Sequence, residues 1–108
     1  MLNQFIMVGC VKEVPHLKET NTGISFANLI VEVKRSFKNS EGVYETDIFS
    51  VTMWRGVAQS CVDLCKEGCL VGIKGRLQSN LFTKEDGSTF YNYEIIAEKV
   101  SFLNVNEE

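Results

Sequence analysis

Leu70-Val-Gly-Ile-Lys-Gly-Arg-Leu-Gln-Ser-Asn-Leu-Phe-Thr-Lys-Glu-Asp-Gly87 alternates apolar and polar residues with the two-residue period of a β-strand. Val71, Ile73, Gly75, Leu77, Ser79 and Leu81 fall on one side, and Lys74, Arg76, Gln78, Asn80 and Phe82 on the other. A row of cations and amides ending in an aromatic ring is poor material for a core. It suits a single strand of nucleic acid, which needs cations for phosphates and ring faces for bases. A solvated strand face with one stray Phe would give the same pattern.

The preceding strand repeats the theme. From Tyr44 to Trp54, Phe49, Val51 and Met53 share one side, whereas Tyr44, Thr46, Ile48, Ser50, Thr52 and Trp54 share the other. The lone tryptophan thus stands on the polar side, followed by Arg55. An aromatic at an oligomer interface is the competing explanation.

Working outward, the chain reads as strands at about Gln4–Glu13, Ile24–Phe37, Tyr44–Trp54, Cys69–Thr83 and Phe90–Leu103. Phe5 to Val11 is nearly all apolar, so the first strand is expected to be buried or paired on both sides. In the second, Ala27, Leu29, Val31 and Val33 point inward. Val14 to Gly23 is a loop, while Lys38–Gly42 and Asp86-Gly87 are hairpin tips. Gly56 to Lys66 has the only helical pattern, with Val57, Cys61, Leu64 and Cys65 as its apolar stripe and Gly68 placed to end it. Five strands with one short helix between the third and fourth is the order of an all-β OB-fold barrel. That fold binds oligonucleotides or oligosaccharides around strands two and three. Residues 1–108 form one such domain.

Composition narrows the classes further. No apolar run is long enough to span a membrane, and the N-terminus lacks a secretory signal, so a cytoplasmic protein is expected. Cys10, Cys61, Cys65 and Cys69 have neither tight C-x2-C pairs nor histidine helpers, His16 being the only His, and they read as small buried hydrophobes; no metal or other cofactor is expected. No catalytic constellation of acid, base or nucleophile emerges, which excludes the enzyme classes recognisable from such motifs. The formal net charge of −3 does not by itself suggest a polyanionic partner. Local distribution decides binding, however, and Lys34, Arg35 and Lys38 cluster while Lys74 and Arg76 share a face.

Several segments in sequence then resemble the bacterial single-stranded DNA-binding protein family across Leu2 to Leu103. They are Met7-Val-Gly, Phe26-Ala-Asn-Leu, Phe49-Ser-Val-Thr-Met-Trp-Arg-Gly-Val-Ala-Gln, Lys66-Glu-Gly-Cys-Leu-Val-Gly-Ile-Lys-Gly-Arg-Leu, and the Asp86-Gly87 hairpin followed by Tyr91 and Glu94. The resemblance implies sequence-independent binding and protection of single-stranded DNA in replication, recombination and repair. It implies base stacking at Phe37, Trp54 and Phe82, with Ile48 where the best-known members have Trp. Positions where the family places cations carry Ser50, Gln78 and Asn80 here, and Lys74 and Arg76 are taken as compensating. Lys34, Arg35, Arg55, Lys74, Arg76 and Lys84 are the candidate phosphate contacts. Phe37 has the parity of inward-facing Val33, so it reaches DNA only if its strand twists or bulges.

The family also implies a homotetramer and an acidic tail that recruits protein partners. The chain ends Asn104-Val-Asn-Glu-Glu108 without such a tail, so tail-dependent partners are not expected. The alternative is a dimeric module resembling the primosomal replication protein, which binds single strands and mainly loads partners. Stacking and phosphate contacts do not read the 2′-hydroxyl, so RNA stays open as a ligand.

Overall fold

The computed structural model describes residues 1–103; residues 104–108, to which the reading of the tail applies, lie outside them. The elements are β1 (Phe5–Glu13), β2 (Lys18–Glu19), β3 (Ser25–Lys38), β4 (Tyr44–Trp54), α1 (Arg55–Leu64), β5 (Leu70–Thr83) and β6 (Thr89–Phe102). The sheet runs β1-β5-β6-β4-β3-β2, and an additional β1–β3 pairing closes five of the strands into a barrel. This is the expected all-β barrel with one correction. The segment read as a loop contains the two-residue β2, so α1 lies between the fourth and fifth strands. Two residues are too few to display a periodicity.

Three hairpin tips are built alike. The amides of Gly23, Gly42 and Gly87 donate to the carbonyls of Thr20, Asn39 and Lys84 at 2.9, 3.0 and 2.9 Å. Their φ angles of 84°, 79° and 88° lie where a Cβ is strained, which is why glycine marks each turn in the sequence. Gly68 works differently from expectation. The helix stops at Leu64, and Gly68 serves a separate turn in which the Cys69 amide donates to the Lys66 carbonyl at 3.1 Å.

The core lies inside the barrel and under α1. Ala27, Leu29 and Val31 from β3, Val51 and Met53 from β4, and Val71 and Ile73 from β5 are buried, as the alternation requires. Ala58, Cys61 and Cys65 bring α1 onto them. No side-chain cap or charge pattern supports the termini of α1, so its stability comes from this packing. The expected stripe is shifted: Leu64 is 62% exposed and Ala58 takes the inward position.

The thiols differ correspondingly. Burial, with the neighbouring Cys65 thiol, pushes the Cys61 thiol up to about 12, and burial also raises Cys65. Cys10, expected to be buried, is exposed. In native protein at about pH 8, iodoacetamide is expected to modify Cys10 and spare Cys61 and Cys65 until denaturant is added. Peptide mapping that finds Cys61 modified as fast as Cys10 would contradict this packing. Among the described residues, no group of three or more His, Cys, Asp or Glu side chains is placed to hold a metal ion, and no helix is long and apolar enough to cross a membrane.

Two alternations run past the core. Leu77 and Leu81 are exposed, because β6 meets β4 only at Val51–Ile95 and Thr52–Ile96 and the β5–β6 ribbon leaves the barrel beyond that seam. Ile6 and Val8 are 75% and 51% exposed, so β1 is buried on one face only, but it pairs with β5 on one edge and, from Cys10 to Glu13, with β3 on the other. The two projecting hairpins, β3–β4 and β5–β6, give a radius of gyration of 16.2 Å, above the value of about 13 Å typical of this length.

Candidate nucleic-acid interface

Pairing of β3 with β4 builds the outer face in rows: Phe26–Trp54, Asn28–Thr52, Ile30–Ser50, Glu32–Ile48, Lys34–Thr46 and Lys38–Tyr44. The inward residues Ala27, Leu29, Val31, Val51 and Met53 occupy the alternate rows, so the outer face follows from the pleat. Trp54 packs on Phe26 with ring centroids 5.2 Å apart and planes at 34°, leaving it half-buried. Asn28 Nδ2 donates to Thr52 Oγ1 at 3.2 Å in the next row. Ile48 is exposed in the middle of the face. From Trp54 to Tyr44 the face extends about 33 Å at the usual rise of a strand.

Acids are sorted away from this surface along the distal half of β4. Asp47 and Glu45 have the opposite parity to Ile48 and Tyr44 and hold Arg35 on the other face. The Arg35 Nε and Nη2 donate to Asp47 at 3.1 and 2.8 Å, and Nη1 donates to Glu45 Oε1 at 2.6 Å. These hydrogen bonds hold the Asp47 carboxyl below the usual carboxylate range and raise Arg35. That stabilisation is present above the ordinary carboxylate pKa and is lost as pH falls through the lowered one. Arg35 is thus committed to two carboxylates, while Lys34 beside it is exposed on the outer face.

Lys34→Ala is expected to reduce the salt slope of oligonucleotide binding by about 0.7, the value for one phosphate contact on a single strand. Arg35→Ala is expected to leave the slope unaltered, because its charge is already neutralised. Equal slope changes in the two variants would place Arg35 on the phosphate path.

The outer surface continues across the barrel. Thr52 pairs with Ile96, and Ile96 with Arg76, so Arg76, Gln78, Asn80 and Phe82 carry the same sheet face as Trp54. Arg76 Nη1 lies 3.3 Å from Glu98 Oε2, and its Nη2 donates to Gln78 at 3.3 Å. Phe82 is 55% exposed on the β5–β6 hairpin, 6.3 Å from the Phe90 ring, with Lys84 Nζ 5.6 Å from the Phe90 centroid. Lys74 shares the outer side of β5 with Arg76 but lies nearer β1, opposite Ile6 and Lys99. Arg55 is exposed directly after Trp54, with a φ of 53° that turns β4 sharply into α1. Phe37 is 63% exposed near the end of β3, where the pairing slips between Lys34 and Lys38.

Phe26, Tyr44 and Phe90 were not among the sequence candidates. The signals for them were available. Phe26 has the parity of Asn28 opposite inward Ala27, Tyr44 that of Ile48 and Trp54, and Phe90 mirrors Phe82 across the Asp86-Gly87 turn.

The family model described as the single-strand binding protein family matches residues 2–103. The chain is 36% identical over 104 residues to single-stranded DNA-binding protein B of Bacillus subtilis, covering 96% of this chain and 92% of that one. It is 37% identical over 103 residues to the single-stranded DNA-binding protein of Oceanobacillus iheyensis, covering 95% of this chain but only 64% of the relative. Among solved structures, a deletion mutant of the single-stranded DNA binding protein from Thermus aquaticus superposes with a TM-score of 0.76. That match covers 96% of this chain and 51% of the other at 22% identity, a likeness of fold.

Proposed function

This chain belongs to the single-strand binding protein family, and from that premise we propose that it binds single-stranded DNA without regard to sequence and protects it during replication, recombination and repair. The observation that carries the reading is the outer face of the barrel, which presents Trp54, Ile48, Phe82 and Phe90, with the Lys84 ammonium 5.6 Å from the Phe90 centroid. Every base has a ring face, so stacking tolerates any sequence, and a duplex hides those faces. The role is binding rather than catalysis, and the expected location is the cytoplasm.

The experiment is a fluorescence titration with oligo-dT at low and high salt, with duplex DNA as competitor. Trp54 is the only tryptophan and sits on the face in question. Salt-sensitive quenching by the single strand alone is expected. Absence of both quenching and competition would overturn the reading, and oligo-rU in parallel measures preference for DNA over RNA.

Self-association into a homotetramer belongs to the same proposal. In support, β1 pairs with β5 from Phe5 to Cys10 but with β3 only from Cys10 to Glu13. Its Phe5–Val8 stretch therefore has a free edge, flanked by exposed Ile6 and Val8. A native mass of four chains is expected; a mass of two would favour the dimeric, partner-loading module.

A further inference from the structure

Resting on the single-strand reading above, we propose that Tyr44 with Lys34 and Lys38 forms an additional base-and-phosphate subsite near the tip of the β3–β4 hairpin. Tyr44 lies on the outer face by register, opposite Lys38, and the residue is 43% exposed. The Lys34 and Lys38 ammoniums stand 5.8 and 5.7 Å from its centroid. Among the described residues neither lysine has an ion-pair partner: nearby Glu45 and Asp47 are turned to the opposite face and occupied by Arg35. The cluster therefore combines an open ring with two cations that have no ion-pair partner, and the carboxylate in the next row of its face, Glu32, is held by Lys12 at 3.4 Å.

Its position gives it a use. Ile48, in the middle of the path, is exposed but offers no ring to stack on. Tyr44 is the next ring outward along β4, four residues or about 13 Å further. A strand leaving Trp54 along this face passes Ile48 and meets Tyr44. There a base stacks on the phenol ring, and the adjoining phosphates replace the ring as partners of the two ammoniums. A lysine near an exposed ring gains little, so the exchange favours the polyanion.

The test uses the whole chain with oligo-dT of about 4 and about 16 nucleotides, the two ends of the range for one OB-fold. Tyr44→Leu is expected to weaken binding of the longer oligomer by about 5- to 150-fold, the span of one stacking contact. The loss is expected to be absent on the shorter oligomer bound at Trp54, and Tyr44→Phe, which keeps the ring, is expected to recover most of it. Lys34→Gln with Lys38→Gln is expected to lower the salt slope by about 1.4, two phosphates' worth. Wild-type affinity of Tyr44→Leu for the longer oligomer would overturn the subsite, as would equal losses on both lengths. The two failures are distinct: no binding by the wild type sinks the functional proposal, whereas binding that needs Trp54 and ignores Tyr44 sinks only this one.

Discussion

Trp54→Ala is expected to weaken binding of a labelled oligo-dT at constant salt by about 1–3 kcal/mol, roughly 5- to 150-fold. The size follows from what the ring does. One side of Trp54 is braced by Phe26 at 5.2 Å, which fixes its orientation before any base arrives. The residue is half-buried, so truncation also disturbs the fold. Loss of the aromatic pair is expected to lower stability by about 0.5–1.5 kcal/mol. The two quantities separate by experiment: affinity from anisotropy of the labelled strand, stability from urea unfolding without DNA. A large loss of stability with intrinsic affinity unaltered would make Trp54 a packing residue and move the binding surface elsewhere.

Gly75→Ala is expected to remove about 3 kcal/mol or more of stability, a large share of the roughly 5–15 kcal/mol that holds a domain together. A Cβ at Gly75 would lie 1.9 Å from the Ile96 carbonyl oxygen, 2.9 Å from its carbon and 3.0 Å from the Ala97 Cα. All three are backbone atoms, so no rotamer change relieves the collision and β6 itself must move. The approach is close because the β5–β6 register slips there, with Lys74 opposite Lys99 but Gly75 opposite Ala97. Gly72→Ala is the control, since its nearest contact is the flexible end of Leu103 at 3.5 Å. Equal urea midpoints for the two variants would show that the seam has slack. The seam matters for binding as well, because it aims the hairpin that carries Phe82 and Phe90.

Most of the architecture was legible in the sequence because its causes are local. Alternation in β3, β4 and β5 identifies strands and assigns Leu29, Val51, Met53 and Ile73 to the inside. The positive-φ glycines place the turns within a residue or two. The candidate site was legible in part. Trp54 and Phe82 stood out because a ring on a polar face contradicts the alternation around it. Tyr44 and Phe90 did not, because their significance depends on neighbours across a strand pair: Lys34 and Lys38 for one, Phe82 and Lys84 for the other. Arg35 and Lys34 are adjacent cations of opposite parity, but only the register across β3–β4 sets Asp47 and Glu45 against Arg35 and leaves Lys34 on the outer face.

By itself, then, the sequence determined the five long strands, the turns, the helix, the barrel class and the chemistry of the exposed face, since each depends on residues a few positions apart. Tertiary structure alone decided where that alternation ceases to mean burial, leaving Leu77, Leu81, Ile6 and Val8 exposed. It also decided which cations are already neutralised and which rings meet a lysine. Those outcomes depend on register and on the slips near Lys34 and Gly75. A displacement of one residue between strands moves every partner to another row, while the sequence of each strand stays the same.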